Sequence, residues 1–190
     1  MNLTAGQKRA LLKIARESIA SAVKNEKIPE YDIKDSALNI KCGAFVTLHI
    51  NDNLRGCIGN ITAETPLWQT VSNMAVESAL RDPRFYPLTP DELKKADIEV
   101  SALSPLKKIK DPAEVKVGKH GLLIKSGSYQ GLLLPQVATS YRWDRTVFLE
   151  QTCCKAGLNK NCYRKKDTEI FIFSAVVFSE KNLDNKNEVK

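Results

Sequence analysis

The chain has 190 residues, 29 of them basic and 22 acidic, for a net charge of +7, with 43% hydrophobic and 27% charged content. That length suits one domain with a substantial core, and no apolar run approaches the ~20 residues that cross a membrane. Met1 to Gln7 holds no basic region leading into an apolar stretch, so the sequence points to a cytoplasmic protein and away from a membrane partner.

Thr4-Ala5-Gly6-Gln7 has the form of a capping box, and Leu11, Leu12, Ala15, Ile19, Ala22 and Val23 recur at helical spacing, which predicts a helix to about Asn25, before Ile28-Pro29. Residues 43–50 alternate, with Ala44, Val46, Leu48 and Ile50 on one side. After the turn residues Asn51-Asp52-Asn53 they pair with the hexapeptide Leu54-Arg55-Gly56-Cys57-Ile58-Gly59. Alternation sends Leu54 and Ile58 to one face and Arg55 and Cys57 to the other. Thr65-Pro66 opens a helix to Leu80, Arg81-Asp82-Pro83-Arg84 ends it, and Thr89-Pro90-Asp91-Glu92 starts a short one. A strand over about 97–103 and a linker from Pro105 to Pro112 follow.

Residues 121–125 and 129–134 read as a hairpin around Ser126-Gly127-Ser128, and a turn or short helix follows Pro135. Asp144 caps a helix to about Ala156, stopped by Gly157. Residues 169–178 form the strongest strand signal, and the tail from about Lys181 is polar enough to be disordered. Hairpins with helices between them, and no strict βαβ alternation, give the α+β class: an antiparallel or mixed sheet packed with helices. The expected organisation is a larger lobe of about 1–60 and 96–180, a smaller helical lobe of about 61–95, and a tail over 181–190.

The five cysteines (Cys42, Cys57, Cys153, Cys154, Cys162) are odd in number and lack the spacing of a disulfide framework, which fits a reducing compartment. There is no CxxC pair and there are two histidines, His49 and His120, so the spacing predicts no built-in metal site. The clusters Lys107-Lys108-Lys110 and Arg164-Lys165-Lys166 are not interleaved with aromatics and read as a solvated face, which leaves a nucleic-acid partner weakly supported.

The hexapeptide carries the chemistry. Arg55 keeps its charge, so it favours a neighbouring thiolate or holds an anion. Gly56 and Gly59 let a ligand or another backbone come close. Cys57 is the candidate nucleophile, His120 the candidate general acid or base, and Glu99 a residue to orient it. Arg84, Gln136 and Trp143 complete the candidate binding set. The plainer assignments are a buried Cys57, a solvent-facing Glu99, a helix-end ion pair of Asp82 with Arg84, and Gln136 as a backbone cap.

Together, Leu54 to Gly59, Asp82-Pro83-Arg84-Phe85, Ile98-Glu99-Val100-Ser101, Gly118-Lys119-His120-Gly121-Leu122 and Gly131-Leu132-Leu133-Leu134-Pro135-Gln136 with Trp143-Asp144 resemble the AMME chromosomal region (AMMECR) family across almost the whole chain. The resemblance implies an intracellular α+β protein of two lobes and a partnership with Memo-type and radical SAM proteins in some modification chemistry. It names no reaction and no cofactor. The expected activity is binding of a small anionic ligand or a protein partner in an interlobe cleft around the hexapeptide. The alternative is a cysteine-dependent enzyme or enzyme subunit.

Overall fold

The structure, a computed structural model, describes residues 1–184. Its elements in chain order are α1 (Ala5–Ala22), β1 (Ala44–Ile50), β2 (Asn53–Asn60), α2 (Leu67–Leu80), α3 (Pro90–Leu93), β3 (Ala96–Leu103) and β4 (Lys107–Ile109). There follow β5 (Gly121–Ser126), β6 (Tyr129–Leu133), α4 (Pro135–Ser140), α5 (Arg145–Lys155), β7 (Glu169–Phe173), β8 (Ala175–Ser179) and α6 (Glu180–Asp184). The strands form two four-stranded sheets, ordered β2-β1-β3-β8 and β4-β7-β5-β6, and the α+β class holds. The chain divides into two compact units, one of Met1–Leu103 with the segment from Val176 onward, the other Ser104–Ala175.

In the first unit the capping box at Thr4 forms as the sequence indicates, with Gln7 returning a bond to the Thr4 amide. β1 pairs antiparallel with β2 and β3, and Asn51 and Asp52 take positive φ in the turn between β1 and β2. One face of this sheet, carrying Val46, Leu48, Ile98 and Val100, is sealed by Leu11, Ala15 and Ile19 of α1 and Val71 and Ala75 of α2. Segment 61–95 therefore forms no separate helical lobe. The apolar stripe of α2 needs a partner, and α1 and the first sheet supply it.

The second unit packs α5 on its own sheet, with Leu122, Ile124, Phe148, Leu149, Ile170 and Ile172 in its core. The expected linker after Pro105 contains an edge strand, β4, paired with β7. The expected strand over 169–178 is two strands in two different sheets. The break falls at Ser174, whose N–H donates to Ser104 Oγ while its carbonyl accepts from the Ser104 amide. Residues 181–184 continue α6, against the expected disorder, and Lys181 bonds Asp97 and Asp52; the rest of the expected tail, 185–190, lies outside the described residues.

Cys153 and Cys162 are joined in a disulfide with Cα atoms 5.9 Å apart, although the cysteine spacing shows no disulfide framework and suggested a reducing compartment. The pair closes a loop from α5 back to the turn at Cys162–Arg164, and periodicity carries no signal for such a contact. Non-reducing peptide mapping should recover a linked Cys153–Cys162 peptide. Cys162→Ser should lower unfolding stability by roughly 2–3 kcal/mol in urea titration.

Candidate functional site

The hexapeptide is β2, the outermost strand of the first sheet. A register shift at Leu48/His49 inserts one extra residue, so Leu54 lies opposite His49 while Cys57 lies opposite Thr47. Leu54 therefore shares the face of Cys57, against the simple alternation expected, and Ile58 packs toward the core.

Both glycines serve packing. A Cβ on Gly56 would stand 2.2 Å from the Ser78 carbonyl oxygen, so α2 rests on bare backbone there. On Gly59 it would meet the Phe45 ring at 2.2 Å. The close approach anticipated at these positions is made by the protein itself.

The segment after α2 is tied to β2 by hydrogen bonds from the Asp82–Arg84 ion pair and by a second ion pair, Arg55 with Glu92. Asp82, only 4% exposed, accepts from the Cys57 amide at 2.8 Å, from Arg84 Nε and Nη2 at 2.9 and 2.7 Å, and from the Arg84 amide at 3.1 Å. Arg84 Nη2 also donates to the Cys57 carbonyl at 3.3 Å. The guanidinium of Arg84, outweighing the opposing effect of burial, holds the Asp82 carboxyl far below the usual carboxylate range. This is the local pair the sequence suggested, with an added grip on the strand.

Arg55 makes the second tie. Its Nε and Nη2 meet the two oxygens of Glu92 at 2.9 and 3.1 Å, and Nη2 also reaches the Tyr86 carbonyl. Its Nη1 is buried with no hydrogen-bond partner among the described residues. Glu92 simultaneously closes the capping box of α3, accepting from the Thr89 amide at 2.9 Å. Arg55 first, and Thr89 with it, draws the Glu92 carboxyl down to about 2. The Phe85 ring lies 5.7 Å from the Arg55 guanidinium and 5.5 Å from that of Arg84.

On the sheet face turned from the core, a polar row crosses three strands in register: Cys57 opposite Thr47, and Thr47 opposite Glu99. Thr47 Oγ1 donates to Cys57 Sγ at 3.2 Å. Burial raises the Glu99 carboxyl above its usual value, with His49 opposing and Asp97 adding to the rise. His49, two residues beyond Thr47, lies opposite Asp97 and shares a hollow of about 270 Å³ with Glu99, Asp97 and Lys181. The sequence reading passed over His49 and Thr47 because alternation alone does not reveal which strands become neighbours.

The remaining candidates lie in the second unit. His120 Nδ1 accepts from the Lys116 amide at 3.2 Å, and burial followed by Lys119 and Lys116 lowers its pKa. Gln136 is exposed in the first turn of α4, where its backbone carbonyl accepts from the Thr139 hydroxyl. Trp143 stacks on Tyr141 at 4.9 Å. Among the described residues no group of three or more potential ligands converges on a metal position, and no helix is long and apolar enough to cross a membrane.

The two four-stranded sheets packed with helices define an α+β protein. The AMMECR1 family model matches residues 12–178, and the chain belongs to that family. It is 43% identical to a Nanoarchaeum equitans protein over 90% of this chain and 98% of that one, and 38% identical to an Aquifex aeolicus protein over 91% and 92%. An uncharacterised Pyrococcus horikoshii protein of known crystal structure superposes with a TM-score of 0.80 at 38% identity, covering 92% of this chain and 91% of its own.

Asp82→Asn should cost about 3 kcal/mol in urea unfolding, since it leaves Arg84 and the Cys57 amide without their charged acceptor. Because folding lowers the Glu92 pKa, its contribution is full above the ordinary carboxyl range and is lost as pH falls from there toward about 2. Arg55→Ala should flatten that acid-limb loss, read as unfolding stability measured between about pH 5 and 2.

Proposed function

We propose that the protein binds a small polar ligand, or a side chain of a protein partner, on the Cys57 face of its first sheet, and that its arginines hold the strand instead of gripping the ligand. The polar row Cys57–Thr47–Glu99 carries this reading: thiol, hydroxyl and carboxyl stand in register on half-buried positions turned away from the core. Beneath it, Ser78 packs on Gly56, and Asp82 and Arg84 fix the Cys57 amide and carbonyl, so the row sits on immobilised backbone. Preorganisation of that kind lowers the ordering cost of binding. Neither arginine is left for a ligand: Arg55, 15% exposed, is spent on Glu92, and Arg84 on Asp82 and the Cys57 carbonyl.

The second reading is a cysteine-dependent enzyme, or an enzyme subunit working with Memo-type or radical SAM partners. One contact favours it: Thr47 Oγ1 donates to Cys57 Sγ at 3.2 Å, which fixes the sulfur's position beside a hydroxyl. In that case Cys57 is the nucleophile and Glu99 or His49 the nearest acid–base groups on the same sheet.

Alkylation by iodoacetamide, followed by peptide mass analysis in a Cys154→Ser background, separates the two. Binding without catalysis predicts that Cys57 is alkylated at neutral pH no faster than free cysteine, and that Arg55→Ala leaves the rate in place. A rate at least about tenfold above that of free cysteine, abolished in Thr47→Val, would replace the proposal with the enzyme. A thermal-shift screen of small amines, carboxylates and phosphates then tests binding itself. A ligand of this site should lose its stabilising effect in Cys57→Ser and Glu99→Gln and keep it in Arg55→Ala; a ligand lost only in Arg55→Ala refutes the proposed division of labour.

A further inference from the structure

The net charge of +7 resides entirely in the second unit. Residues 104–175 contain 13 basic and 6 acidic residues, whereas the remainder of the chain contains 16 of each. The two basic clusters that sequence reading assigned to a solvated face converge in three dimensions. Lys108 and Lys110, at and beyond β4, and Arg164, Lys165 and Lys166, before β7, line one half-open hollow of about 990 Å³, joined by Lys125 from β5.

Within the hollow, Glu169 is taken by Lys108. That leaves Lys110, Lys125, Arg164, Lys165 and Lys166 facing a single further carboxylate, Asp167, and none of the five makes an ion pair among the described residues. Lys125 stands 5.7 Å over the Phe171 ring, and Arg164 lies against Tyr163 at 5.3 Å, so aromatic surface is present although it was not interleaved in the sequence. The wall also holds Thr168, whose Oγ1 is buried with no hydrogen-bond partner among the described residues. A buried hydroxyl without a partner costs free energy until an acceptor or water meets it.

We infer that this hollow binds a ligand carrying two or more phosphate groups. Five unpaired cations crowded around one concavity repel one another, and a single carboxylate neutralises only one of them. A polyphosphate or phosphodiester segment brings several charges and acceptor oxygens at once, which suits lysines acting as point charges and Arg164 with its forked donors. The Tyr163 ring in the lining adds a surface for a base or other planar group. The site lies wholly in the second unit and is independent of the Cys57 row.

The test uses the full chain with two probes at about 50 mM salt: sodium tripolyphosphate followed by calorimetry, and a fluorescein-labelled short oligouridylate followed by anisotropy. The variant Lys110→Glu/Lys165→Glu/Lys166→Glu changes exposed side chains, and Lys24→Glu/Lys27→Glu/Lys95→Glu, in the first unit, matches it in net charge. Saturable tripolyphosphate binding, weakened at least about tenfold by the first variant and little by the second, supports the site. Oligouridylate binding that tightens with length and falls in the same variant assigns the phosphates to a nucleic acid; tripolyphosphate binding alone assigns them to a small ligand. Equal losses in both variants, or no saturable binding of either probe, overturns the inference.

Discussion

The contact between the Asp82 carboxylate and the Cys57 amide is the constraint on which the first unit's candidate site depends. It joins the loop that ends α2 to the outermost strand, and Arg84 completes it by taking the Cys57 carbonyl. Arg55 and Glu92 repeat the arrangement one step along the strand, with Glu92 also capping α3. Two arginines and two carboxylates thus cancel in charge: one pair grips the Cys57 backbone and the other ties the Arg55 side chain to α3. A lattice with zero net charge is well suited to holding geometry and poorly suited to attracting an anion from solution.

Much of the fold was legible because each signal was local. Thr4-Gln7, Thr89-Glu92 and Asp144 named their helices by capping chemistry, and the alternation of Ala44, Val46 and Leu48 named a one-sided strand. What escaped was non-local. The continuous β signal over 169–178 gave no hint that its two halves join different sheets, because Ser174 breaks the strand only through its exchange of hydrogen bonds with Ser104, seventy positions away. The Cys153–Cys162 bond and the bulge that moves Leu54 onto the Cys57 face are likewise decided by partners the sequence does not display.

The candidate site followed the same rule. Arg55, Cys57, Gly56, Gly59 and Arg84 stood out as unusual residues and do gather around one strand, but their uses differ from those first suggested by type. The glycines admit Ser78 and Phe45, and Arg55 is enclosed. Glu92 was hidden by its capping role, and Thr47 by its ordinary appearance within an apolar strand. The basic residues were visible as clusters, yet only the pairing of β4 and β5 with β7 shows that three separate segments share one concavity.

The fixing of Cys57 has a consequence beyond the site. β2 has β1 on one flank, and its other flank would ordinarily expose main-chain donors and acceptors to any extended peptide in solution. Asp82 and Arg84 occupy those groups at Cys57 with side-chain atoms, in effect a two-residue substitute for a fifth strand. Loss of that substitute opens a template for chain-to-chain β-pairing, so damage at Asp-Pro-Arg leads toward self-association of otherwise folded molecules as well as toward unfolding.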